Sequence, residues 1–167
     1  MKRIRQKTKK NYQRGFTLVE SMIAVGLIVT GVMGVLTLVS RSLGFSGLAF
    51  NRLVAANLAQ EGVEVVRNIR DTNWLNHRVW DFGLADGAYQ VSSASQALEI
   101  DTDQFLLLDE TTGLFNYESG KETFYKRKVE LTRLNPNEVM VQVTVSWIGR
   151  GGGQFNTVIE DHLFNWF

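Results

Sequence analysis

The chain has 167 residues, with 18 Lys or Arg, 17 Asp or Glu and no cysteine. A 44% apolar content excludes global disorder, and the length suits one ordinary domain with an appendage. The absence of Cys excludes a disulfide scaffold, a Cys-based zinc site and a thiol nucleophile; His77 and His162 alone leave little for zinc.

Charge is divided unevenly along the chain. Residues 1–15 hold Lys2, Arg3, Arg5, Lys7, Lys9, Lys10 and Arg14, and no acid. The remainder carries eleven basic and seventeen acidic residues, a net charge of −6. An acidic body argues against broad nucleic-acid binding by the chain itself. From Gly15 to Ser40 Glu20 is the only charge, and Ser21–Val39 has none. Roughly 20 apolar residues span a bilayer core as a helix. The basic residues precede the span, so the positive-inside rule predicts a cytoplasmic N-terminus and an outward-facing body. The run is too long for an ordinary secretory signal, and Ser40-Arg41-Ser42 is a poor cleavage site.

The helical pattern continues beyond Arg41. Val54, Leu58, Val65 and Ile69, with Ala55, Ala59 and Val66, mark one face, while Arg52, Glu61, Glu64, Arg67 and Asn68 occupy the others. Glu64 is placed to pair with Arg67. Gly44 and Gly47 are candidate points of bending, and the polar cluster Asp71-Thr72-Asn73 is expected to end the helix. A helix from Phe16 to Arg70 is about 80 Å long, whereas a globule formed by the rest has a radius of gyration of roughly 13 Å. The apolar half is therefore expected to protrude and to need lipid, or other helices, as its solvent.

Residues 71–104 show no period and scatter Trp74, Trp80, Phe82 and Tyr89 among polar residues, which predicts an irregular connector with satellite-core aromatics. Short strands are expected at Phe105–Leu108 and Leu114–Tyr117, and longer ones at Phe124–Arg133, Glu138–Ile148 and Phe155–Phe167. Val139, Val141, Val143, Val145 and Trp147 alternate with Met140, Gln142, Thr144 and Ser146, predicting one buried face. Leu134-Asn135-Pro136-Asn137 and Gly149–Gly153 are turn signals. The expected fold class is α+β: a long N-terminal helix, apolar in its first half and amphipathic in its second, followed by an antiparallel sheet. Four segments follow: a basic leader at 1–15, a membrane or filament-core helix at 16–40, its amphipathic continuation at 41–70 and an outward β-rich domain at 71–167.

Catalytic and cofactor motifs are missing: there is no GxGxxG, Walker loop, HExxH or GxSxG. Asp101-Thr102-Asp103 opens like a calcium loop, but Phe105 and Leu106 stand where a ligand and the invariant Gly belong, which leaves only an irregular site open. No enzyme activity, cofactor or resident metal is expected.

The junction Arg14-Gly15-Phe16-Thr17-Leu18-Val19-Glu20 resembles the processing site of type IV prepilins and type II secretion pseudopilins. The resemblance implies cleavage after Gly15, N-methylation of Phe16 and an assembly role for Glu20, fifth in the mature chain. It implies a prepilin peptidase/N-methyltransferase, other pilin or pseudopilin subunits, an inner-membrane assembly platform and the lipid bilayer as partners. Location would be the bacterial inner membrane, single-pass, and then a pilus or pseudopilus of type IV pilin-like subunits. Thr37 and Leu38 stand where many major pilins carry Pro, and there is no Cys for a C-terminal disulfide loop, so the resemblance leans toward minor pilins or pseudopilins. Thr17-Leu18-Val19-Glu20 also fits a capping box, a purely local role for Glu20. A competing reading keeps the leader: an uncleaved, membrane-anchored binding domain that does not polymerise.

Overall fold

A computed structural model describes residues 15–149 and 152–166. The leader residues 1–14, Arg150 and Gly151 of the glycine-rich loop, and Phe167 lie outside the described residues. The chain divides into two compact units, Met1–Phe45 and Ser46–Phe167, and helix α1, Leu18–Leu75, contributes to both.

In the first unit, every described residue from Gly15 to Phe45 is exposed except the half-buried Ala24. Leu27 is 70% exposed and Leu36 61%. No face of this part is covered, and its apolar window passes the length and composition test for a membrane span.

In the second unit, α1 buries Ala55, Leu58, Ala59, Gly62, Val63, Val66 and Ile69. Asn57, Gln60, Glu64 and Asn68 stay exposed on the opposite side. The helix continues through Asp71–Asn73, against the expectation, because Asn73 turns inward. Its Nδ2 donates to the carbonyls of Trp80 (3.1 Å) and Phe82 (2.8 Å), tying down the following loop. The helix ends instead in a Schellman-type cap. His77 takes a φ of 54°, its N–H donates to the Trp74 carbonyl, and Arg78 N–H donates to the Asn73 carbonyl. Such a cap is ordinarily signalled by Gly, which explains why the sequence conceals it.

Five strands form one antiparallel sheet in the order β2-β1-β6-β7-β8: β1 (Gly87–Gln90), β2 (Glu99–Ile100), β6 (Tyr125–Asn135), β7 (Glu138–Ile148) and β8 (Gln154–Phe164). A small second sheet has the order β4-β3-β5, from β4 (Phe115–Asn116), β3 (Leu107–Leu108) and β5 (Lys121–Glu122). The β7 boundaries match the alternation that predicted them. Strands β1 and β2 correct the irregular reading of 71–104; they are too short to show a period. Of the aromatics placed there, Trp80 is buried, Trp74 and Tyr89 pack against the core, and Phe82 is exposed.

The sheet's inner face is Tyr125, Val129 and Leu131 from β6 with Val139, Val141, Val143, Val145 and Trp147 from β7, all buried. Helix and sheet approach closely at Gly62: a Cβ there would sit 3.0 Å from Val143 Cγ1 and 3.4 Å from Arg127 Cδ. One charge joins this face. Arg127 is 2% exposed; its guanidinium donates to the Leu58 and Val91 carbonyls and lies 3.3 Å from Glu61 Oε2. Glu61 is thus a core partner and not the solvent-facing residue its helical position suggested. The architecture is α+β, one long N-terminal apolar helix followed by antiparallel sheets, consistent with a type IV pilin-like layout.

Candidate functional site

Gly15, Phe16 and Thr17 form an open approach to α1. Among the described residues a Cβ on Gly15 would meet nothing within 4 Å, and Phe16 is 71% exposed. Thr17 is the N-cap: its Oγ1 accepts the Glu20 N–H at 3.2 Å, and its carbonyl accepts the Ser21 N–H at 3.1 Å. Half of the expected capping box therefore forms. Among the described residues nothing bonds to the exposed Glu20 carboxylate, so the return bond of the box is not made. The helix dipole still favours a negative charge in this first turn.

Beyond Glu20 the helix satisfies its own polar groups. The hydroxyls of Ser21, Thr30 and Thr37 donate to the carbonyls four residues earlier, at 3.2, 2.7 and 2.8 Å. Groups bonded back in this way burden a lipid or helix-lined environment little. The segment after the junction thus offers an apolar rod with a single free ionisable group near its start.

The other sequence candidates are distributed differently. Asp101 and Asp103 form a local turn, with Asp103 N–H donating to Asp101 Oδ1 at 3.0 Å and Lys126 Nζ lying 2.6 Å from Asp103 Oδ2. Among the described residues no three His, Asp or Glu side chains gather as a metal site. His162 stands on the outer sheet face, 2.7 Å from Glu138 and 3.4 Å from Glu160. The hydrogen bond with Glu138 raises its pKa above the ordinary 6.5. Gly149 and Gly153 close the β7–β8 hairpin through a 2.9 Å bond. Sequence reasoning missed the Arg127–Glu61 pair, although a signal existed: Arg127 shares strand parity with Tyr125, Val129 and Leu131.

Residues 10–36 match the family model of the prokaryotic N-terminal methylation motif. No curated protein and no solved structure matches the chain. The motif match spans the junction and most of the exposed apolar helix, and leaves the sheet unit outside it. It supports the family recognition drawn from Arg14–Glu20, and with it a processed, membrane-anchored subunit.

Proposed function

From a chain headed by the prokaryotic N-terminal methylation motif, the mark of type IV pilins and pseudopilins, we propose a structural, non-enzymatic filament subunit of the minor pilin or pseudopilin kind. A prepilin peptidase cuts after Gly15 and methylates Phe16. The first half of α1 anchors the subunit in the inner membrane, with the sheet unit outside, until the assembly platform and neighbouring subunits take it into a pilus or pseudopilus. The reading is supported by one observation: a match to the N-terminal methylation motif stands at the head of a helix whose apolar first part is exposed on every side among the described residues. A cut there keeps the apolar rod in the mature protein, where lipid and then other helices supply its solvent.

Within this reading the free carboxylate of Glu20 meets the new amine of Phe16 on a neighbouring subunit. A charge within a membrane segment costs about 2.5–3.5 kcal/mol at the bilayer centre, so a partner that neutralises it favours assembly. The open backbone at Gly15 leaves room for the peptidase. Glu20→Gln tests the pairing. The variant is expected to be cleaved and inserted normally but to be depleted from sheared filaments. Wild-type incorporation would reduce Glu20 to a helix-start residue.

A further inference from the structure

At the C-terminal end of α1 lies a cleft of about 870 Å³, whose lining includes Arg70, Asp71, Trp74, Arg78 and Trp166. The Trp74 and Trp166 rings stand 6.3 Å apart with their planes tilted by 44°. They form a wedge, and Arg70 fills it: its Cζ lies 4.7 Å from one ring centroid and 5.3 Å from the other. Arg70 is 5% exposed. Its Nε and Nη2 reach a single oxygen, Asp71 Oδ1, at 2.9 and 2.8 Å. Among the described residues Arg70 Nη1 and Asp71 Oδ2 have no partner, so the pair keeps one donor and one acceptor unused.

The rim is also anchored and open. Trp166 is 68% exposed, so most of its ring is uncovered. Arg78 is exposed, and its backbone N–H is fixed on the Asn73 carbonyl by the helix cap, at 2.9 Å. Among the described residues its guanidinium meets the Phe82 ring and no carboxylate. Neither the core nor the processing junction uses this group of side chains.

The arrangement selects its occupant by exclusion. A cation would be held between aromatic faces, and the Arg70 guanidinium already occupies that place. A flat aromatic ring finds the same wedge filled. An anion would face the Asp71 carboxylate and the carbonyl end of α1, where the helix dipole is negative. A wholly apolar chain would strip water from the Arg70–Asp71 pair and return no hydrogen bond. A neutral ring that carries hydroxyls meets none of these objections. Its hydroxyls both accept, from Arg70 Nη1 or Arg78, and donate, to Asp71 Oδ2. Its C–H face suits the negative π-face of an exposed indole.

We infer that this cleft binds a neutral carbohydrate, with a pyranose ring stacked on Trp166 and neighbouring hydroxyls bonded to the Arg70–Asp71 pair. An aromatic wall with a few placed polar groups is the usual make-up of a small-ligand site. The inference stands apart from the processing reading, since it uses only residues of the sheet-bearing unit.

The test uses the full chain in a polyoxyethylene detergent, which carries no sugar. Maltotriose, cellotriose, mannotriose and chitotriose are the probes; glucuronate, adenosine and tetramethylammonium are the controls. Calorimetry reads the affinity, and the NMR signal of the Trp166 indole N–H, assigned by its loss in Trp166→Tyr, reads the place. At least one trisaccharide is expected to bind with a Kd of about 1 mM or tighter and to shift that signal. Trp166→Ala, at an exposed position, should weaken binding by about tenfold or more, and Trp166→Tyr, which keeps a stacking ring, by less. Arg78→Ala should weaken it several-fold even if Trp166→Ala disturbs the fold. Failure of all four sugars to bind, a control that binds more tightly than every sugar, or sugar binding that neither Trp166→Ala nor Arg78→Ala weakens would overturn the proposal.

Discussion

The two parts of α1 share a backbone and differ in what solvates them. Before Phe45 the helix is apolar all round and uncovered; after Ser46 it is apolar on one face, and that face is buried against the sheet. Leu27 is 70% exposed, Val66 fully buried. Hydrophobicity alone therefore does not mark a core position. The second part has a partner within its own chain, encoded by Leu58, Gly62, Val66 and Ile69 on one stripe. The first part has apolar residues at every angle, a pattern that suits lipid or a bundle of like helices.

The largest expected effect comes from charging the surface that solvates the second part. Val143→Asp sets an unpaired carboxylate under Gly62 and should lower stability of the sheet unit by about 3–5 kcal/mol, read from denaturant unfolding. Thr144→Asp, on the outer face, should change it little. Val29→Asp should leave sheet unfolding in place and instead reduce membrane insertion, by about 2.5–3.5 kcal/mol at mid-bilayer.

A smaller effect sharpens the same contrast at glycine. Gly62→Ala gains about 1 kcal/mol of helix propensity but presses its methyl onto Val143, for a net loss of about 1 kcal/mol. Gly34→Ala meets no neighbour within 4 Å among the described residues and should show the propensity gain alone in the isolated protein. A thermal melt of Gly62→Ala and the helix content of Gly34→Ala by circular dichroism check the opposite signs.

The smallest effect lies on the outer sheet face. Glu138 raises the pKa of His162, so the favourable pair is fully present below pH 6.5 and is lost as pH rises through the higher folded value. An NMR titration should place His162 above 6.5, and Glu138→Gln should lower it.

Legibility in the sequence followed pattern length. The eleven-residue alternation of β7 and the apolar run after Glu20 each repeat one signal often enough to fix an element. Strands β1, β2 and β5 have two to four residues, below any readable period. The end of α1 was misplaced because Asn73 is a buried hydrogen-bond donor in a cluster that looks like a stop, and His77 holds a place usually taken by Gly. Arg127 was readable by parity but overlooked as a charge. The junction residues Gly15, Phe16 and Glu20 were legible only as a motif, because the chemistry proposed for them involves a peptidase and neighbouring chains.

The central claim is that the apolar half of α1 is kept by a cut that precedes it. Intact-mass and N-terminal fragment spectrometry of the membrane-extracted protein tests this most directly. A mature chain beginning at N-methylated Phe16 is the predicted result, and a chain that retains residues 1–15 with an unmodified Arg14-Gly15-Phe16 junction would contradict it.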